Sequence, residues 1–197
     1  MKKLSTYLFL ILFSFSAPSF ADDIRDFQIE GMSIGDSLLD YFSENEIEDI
    51  KKNIEVFIYD DKTFYSLTFY KGPQIKFYDA VQFHLKAKDK KYIIYSIGGQ
   101  IYYPNTINNC YMKMDDIVSE IETMFVDFKI DNEGTRKHKY DKTGKSTTRS
   151  IYIDLRSGDT IVVVCTDWSD EMKHIDALTI AIDSKEFAYW LNNVAYK

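Results

Sequence analysis

INNCYMKMDDIVSEIETMFVDF, residues 107–128, is the stretch with one unambiguous period. Ile107, Met114, Ile121 and Phe128 recur every seven residues, with Cys110, Ile117 and Met124 three residues behind and Val118 and Phe125 beside them. This is a single apolar stripe on a helix. The other side carries Asn108, Lys113, Asp115, Asp116, Glu120, Glu122 and Asp127, so the helix is expected to lie on a core with its polar side in water.

On either side of it the period drops to two. Ile54, Val56 and Ile58 alternate with Glu55, Phe57 and Tyr59, and after Asp60, Asp61 and Lys62 a second run over 63–70 completes a hairpin. Val81, Phe83 and Leu85 oppose Gln82, His84 and Lys86 within 77–87, and 92–103 is a long strand whose Gly98 and Gly99 predict a bulge or bend. Beyond the helix, 129–148 reads as polar and basic, with at most a short strand near 137–140. Strands follow at 151–155, 160–168 and 178–182. The unbroken apolar run Ile161, Val162, Val163, Val164, Cys165 predicts an inner strand covered on both faces, or nearly so. Ser33 with Asp36, and Ser43 with Glu46, predict two short opening helices, and Asp183 with Glu186 opens a last one bearing Phe187, Trp190, Leu191 and Val194. The fold class is α+β: an antiparallel sheet of about seven to eight strands, covered by one long central helix and short terminal helices.

Residues 1–21 begin with Lys2 and Lys3, continue through an apolar run and end in small residues, the pattern of a secretory signal peptide. Residues 22–197 then form one domain, with 30–104 and 105–197 as the alternative division into two similar halves. Without the leader's two lysines the formal charge moves from −7 to −9, which argues against nucleic acid and anionic membranes as partners. No later apolar run approaches the roughly 20 residues that cross a bilayer. The expected location is the periplasm, or the medium beyond it.

Export permits oxidation, and Cys110 and Cys165 are the two cysteines. One sits on the buried stripe of the long helix and the other near the end of the most apolar strand, so a disulfide between them is expected. The alternative is a pair of buried thiols acting as small hydrophobes.

Motifs for chemistry are sparse. Gly144, Lys145 and Ser146 end like a P-loop, but position 139, where the first glycine belongs, is a lysine; Lys142, Thr143 and Gly144 lack a Ser-x-x-Lys partner. Both are turns. Asp167, Asp170, Glu171 and His174 crowd one loop without zinc or calcium spacing, and neither His84 nor His138 has an evident partner. No metal or cofactor is called for. The positive local signal is cationic: Arg136, Lys137, Lys139, Lys142, Lys145 and Arg149 fall within fourteen residues of an otherwise acidic chain. Gathered on one hairpin they would bind a phosphate-bearing head group, an acidic glycan or an acidic protein; solvated, they protect a strand edge.

Ile29, Glu30, Gly31, Met32, Ser33, Ile34 and Gly35, followed by Leu38 and Leu39, resemble the Gly-Met-Ser/Thr helix start of the β-lactamase-inhibitor-like and outer-membrane-assembly lipoprotein fold. That resemblance implies helices on an antiparallel sheet and work done by binding other proteins. The chain lacks the acylated cysteine of such lipoproteins. Residues 38–43, 110–118 and 164–169 also resemble a group of exported bacterial proteins, which implies location and no activity. The leading functional expectation is a non-enzymatic binding or protein-interaction module, with an unidentified protein or anionic ligand as partner. The alternative is a small hydrolase using carboxylates or a histidine.

Overall fold

Leu67, Phe83, Ile97, Ile182, Ile161 and Ile153 are successive neighbours across six strands, and all six are fully buried. Their sequence neighbours form an equally continuous row on the opposite face, Ser66, His84, Ser96, Asp183, Thr160 and Asp154. The period-two alternation thus sorts one face of a sheet for burial and the other for hydrogen bonding.

The structure is a computed structural model and describes residues 24–52, 56–104, 106–125 and 127–195. The leader expected at 1–21 lies outside them. Among the described residues there are eight strands, β1 (Val56–Ile58), β2 (Phe64–Tyr70), β3 (Ala80–Lys86), β4 (Ile94–Tyr102), β5 (Phe128–Lys137), β6 (Thr147–Leu155), β7 (Thr160–Asp167) and β8 (Ala177–Asp183), and three α-helices, α1 (Glu44–Lys51), α2 (Ile107–Met124) and α3 (Lys185–Asn193). The strands make one open antiparallel sheet in the order β1-β2-β3-β4-β8-β7-β6-β5. Two four-stranded meanders therefore meet through β4 and β8. None of the helices among these residues is long and apolar enough to cross a membrane.

The aliphatic face is covered by α1, which turns Ile47 inward behind a Ser43/Glu46 capping box, and by α2, which lays Cys110, Met114, Ile117, Val118 and Ile121 on β7 and β8. Cys110 and Cys165 are joined, with Cα atoms 6.0 Å apart. The polar face is covered at one end by α3, which begins at the Ser184 cap and buries Phe187 and Trp190 against Phe64.

Several local expectations change. The helix leaves its period at Met124, short of Phe128, because Phe125 turns extended and Phe128 and Ile130 are taken up as strand partners of Leu155 and Ile153. Where a mainly irregular segment was expected, β5 runs for ten residues. It is an edge strand exposed along most of its length, so it shows no hydrophobic alternation, and it carries a bulge at Asn132 to Gly134. Gly98 and Gly99 keep regular register instead of making a bulge. A Cβ on Gly99 would stand 2.4 Å from the Tyr78 ring, and that packing explains the glycine. The run in β7 is an inner strand more fully covered on one face than on the other: Ile161, Val163 and Cys165 are buried while Val162 and Val164 are half-buried on the polar side.

The segment around Gly31 forms a tight turn, bridged between Ile29 and Met32, and no helix starts at Ser33. Glu30 and Gly31 have φ of 55° and 81°. This conformation aims the Glu30 carboxylate at the loop before β3, where one oxygen accepts from the backbone N–H groups of Lys76, Phe77 and Tyr78 at 2.9, 2.6 and 2.9 Å. Glu30→Ala is expected to cost about 1–2 kcal/mol, since three donors lose a charged acceptor but two of them reach water. Glu30→Gln, which keeps an acceptor oxygen, should recover about half. Urea denaturation of the two variants measures this, and equal losses would show that the contact is not the cause.

Candidate functional site

The polar face carries a cleft of about 600 Å³ between α3 and the β5–β6 hairpin. Its floor is the row Gln82, Gly98, Ala181, Val162 and Tyr152 with His84, Ser96 and Asp183 alongside. Phe187, Leu191 and Asn192 of α3 wall one side, and Lys139 of the hairpin loop stands at the rim. Small residues at the centre of the floor, Gly98 and Ala181, make the hollow; larger ones around it make the walls.

Four side chains form a connected row inside. The Tyr59 hydroxyl lies 3.1 Å from His84 Nε2, His84 Nδ1 lies 3.2 Å from Ser96 Oγ, and Ser96 hydrogen-bonds the Asp183 carboxylate. Tyr59 is held by edge-on packing against Trp190, whose indole N–H donates to Asp61 at 2.7 Å. His84 is sandwiched toward Phe187, ring centroids 4.4 Å apart. Burial pushes its imidazole down to about 3, so the ring is neutral near neutrality. Burial likewise pushes Asp183, which is 7% exposed, up to about 6 against the opposing pull of the Ser96 hydrogen bond. With a neutral ring and an ionised carboxylate one direction satisfies every atom: Tyr59 donates to Nε2, Nδ1–H donates to Ser96, and Ser96 donates to Asp183.

The expected cationic patch is divided. Arg149 turns to the helix-covered face, 2.8 Å from Asp115 and over the Tyr111 ring; Arg136 pairs with Glu133 at 2.8 Å; Lys145 pairs with Glu171. Lys137, Lys139 and Lys142 are exposed, and of the six only Lys139 lines the cleft. His138 and His174 flank Trp168 at 4.3 and 4.7 Å between ring centroids. Among the described residues no group of three or more His, Cys, Asp or Glu side chains could hold a metal ion, the loop with Asp170, Glu171 and His174 included.

Alternation places His84 correctly on the polar side of its strand, but the other members of its row come from β4, β8 and the turn after β1. Ser96 carries no motif, and Asp183, expected to open the last helix, instead ends β8 while Ser184 caps that helix. Comparison with protein-family models, with curated proteins and with solved structures finds no match to this chain.

Proposed function

We propose that this is an exported, periplasmic protein that works by binding, and that its binding site is the cleft on the polar face of the sheet. Export is supported by the leader pattern at 1–21 and by a disulfide, which persists in oxidising compartments. The observation that carries the binding reading is the closed row from Tyr59 to Asp183. Acyl transfer at Ser96 would need a base that takes its proton and donors that meet an oxyanion. The Ser96 proton is committed to Asp183, His84 is too weakly basic to compete near neutrality, and the backbone N–H groups of β4 and β8 beneath the cleft belong to strands paired on both sides. What is left is a preformed hollow, lined by apolar side chains with a few polar groups among them, of the size that small ligands occupy. An anion-binding role for the hairpin rests on Lys137, Lys139 and Lys142, since its other three cations already have acidic partners.

The hydrolase reading keeps one specific support, a buried carboxylate that titrates near neutrality in a cleft. Turnover abolished by Asp183→Asn with folding intact would establish it in place of the binding reading.

Filling the hollow tests the proposal. A Cβ on Gly98 meets Ala181 and Thr179 at ordinary contact distances, so Gly98→Val fits the strand and projects into the cleft. Wild type isolated from its own periplasm should release on denaturation a small molecule that is absent from Gly98→Val of matching urea midpoint. Equal recovery from the two, or none from wild type, would rule the cleft out as a ligand site.

A further inference from the structure

The donors and acceptors of the cleft do not balance. Asp183 is a carboxylate with room for about four hydrogen bonds, and among the described residues its side-chain donor is the single hydroxyl of Ser96, with no cation in salt-bridge reach. The row behind it cannot supply more, because Tyr59 and His84 each pass their one proton along. Gln82, on the other side of Gly98, has also turned its donors away: its amide nitrogen faces the hydroxyls of Ser66 and Thr68 at 3.3 and 3.4 Å, leaving the carbonyl oxygen for the cleft. Two acceptors therefore border the hollow above Gly98, and an ionised one of them is almost fully buried. A buried charge is costly unless a partner neutralises it.

We infer that the cleft receives its ligand through a primary ammonium group seated above Gly98, with Asp183 as the counter-charge and Gln82 as a further acceptor, and that the ligand is an amino acid or a short peptide with a free amino end. A primary ammonium offers three donors on one centre, which is what two acceptors around a glycine can use. The anionic end follows from Lys139, the cation among the lining residues, which belongs to the loop joining β5 to β6, the strand of Tyr152. The strand that holds Tyr152 lies two spacings from that of Asp183, roughly 10 Å across the sheet. This is closer to the span of two or three residues than to that of one amino acid. The raised titration of Asp183 agrees, since an amine that binds the carboxylate must displace its proton when the solution is acidic.

The inference rests on the cleft being the binding site, and its test is separate from that of the parent reading. Triglycine, N-acetyltriglycine and triglycinamide are titrated into the full protein by calorimetry and amide NMR. Triglycine should bind and perturb the amides around Gly98. N-acetylation and Asp183→Asn should each weaken it at least about tenfold, or about 1.4 kcal/mol. Amidation of the carboxyl end and Lys139→Gln should weaken it by less. Affinity should also fall as pH drops below about 6, where the carboxylate takes a proton. Asp183→Asn conserves shape and removes a buried charge, so it should fold. Equal affinity for the acetylated peptide, no effect of Asp183→Asn, or no binding of triglycine at 10 mM (about 2.7 kcal/mol on the scale of the standard state) overturns the inference. If a ligand is nevertheless recovered from wild type and lost in Gly98→Val, the cleft remains a binding site for a molecule of another class.

Discussion

Reduction of the bond between Cys110 and Cys165 is expected to lower the free energy of unfolding by about 4 kcal/mol. The two cysteines are 55 residues apart and both are fully buried, one in the first turn of α2 and the other in β7. In the chain-entropy treatment a loop of this length removes about that much from the freedom of the unfolded chain. The same bond fastens α2 to the sheet at the end of the helix where the Thr106 cap makes no side-chain hydrogen bond. With a urea dependence of about 2 kcal/mol per molar, the oxidised and reduced proteins should differ by about 2 M in midpoint. The comparison is best made on wild type with and without reductant after full unfolding, because replacing either cysteine adds a packing defect to the loss of the link. A difference below about 0.5 M would show that the bond constrains little, and that packing of Met114, Ile117 and Ile121 alone holds the helix in place.

Substitutions at Asp183 and His84 should tilt the acid stability of the protein in opposite directions. The folded His84 titrates at about 3 against an ordinary 6.5, so between those values the unfolded chain binds the extra proton and acid destabilises. The folded Asp183 titrates at about 6 against an ordinary 3.8, so between those values the native protein holds the extra proton and acid stabilises. From about pH 6 to pH 4 the two slopes oppose each other, each at most about 1.4 kcal/mol per pH unit, and the pair contributes little net dependence. Asp183→Asn leaves His84 alone: relative to wild type, its stability should drop by about 2 kcal/mol from pH 6 to 4. His84→Gln leaves Asp183 alone and should gain by a similar amount over the same interval. Carboxylates held below their usual range, such as Asp141 with its Ser146 and Thr143 hydrogen bonds, add acid sensitivity common to all three proteins. Urea midpoints at pH 4, 5, 6 and 7 decide the matter, and three parallel lines would show that neither group is desolvated as its position suggests.

Much of the architecture is legible in the residues. The seven-residue recurrence from Ile107 locates α2, and the alternation in 80–86, 151–155 and 178–182 says which side chains go inward, because burial of one strand face leaves a period of two. Ser43 with Glu46 announces α1 through hydrogen bonds that are local in sequence. The illegible parts have physical causes. An edge strand with both faces in solvent, such as β5, needs no apolar alternation, so its sequence resembles a loop. The turn at Glu30 is held by amide groups of 76–78, far along the chain. Val162 and Val164 read as buried, but both face the polar side half-buried, and Val162 paves the hollow.

The sequence by itself determined which faces are apolar, where α2 begins, that two cysteines belong to buried elements, and that six cations crowd fourteen residues, since each of these is written in spacing or composition over a few turns of chain. Only the tertiary structure decided that β4 lies beside β8. That pairing sets Ser96 next to Asp183, brings His84 into line with them and leaves Gly98 as the hollow between acceptors. Periodicity specifies a face but carries no register between strands distant in sequence, and a site assembled across three such strands becomes visible only when they are in place.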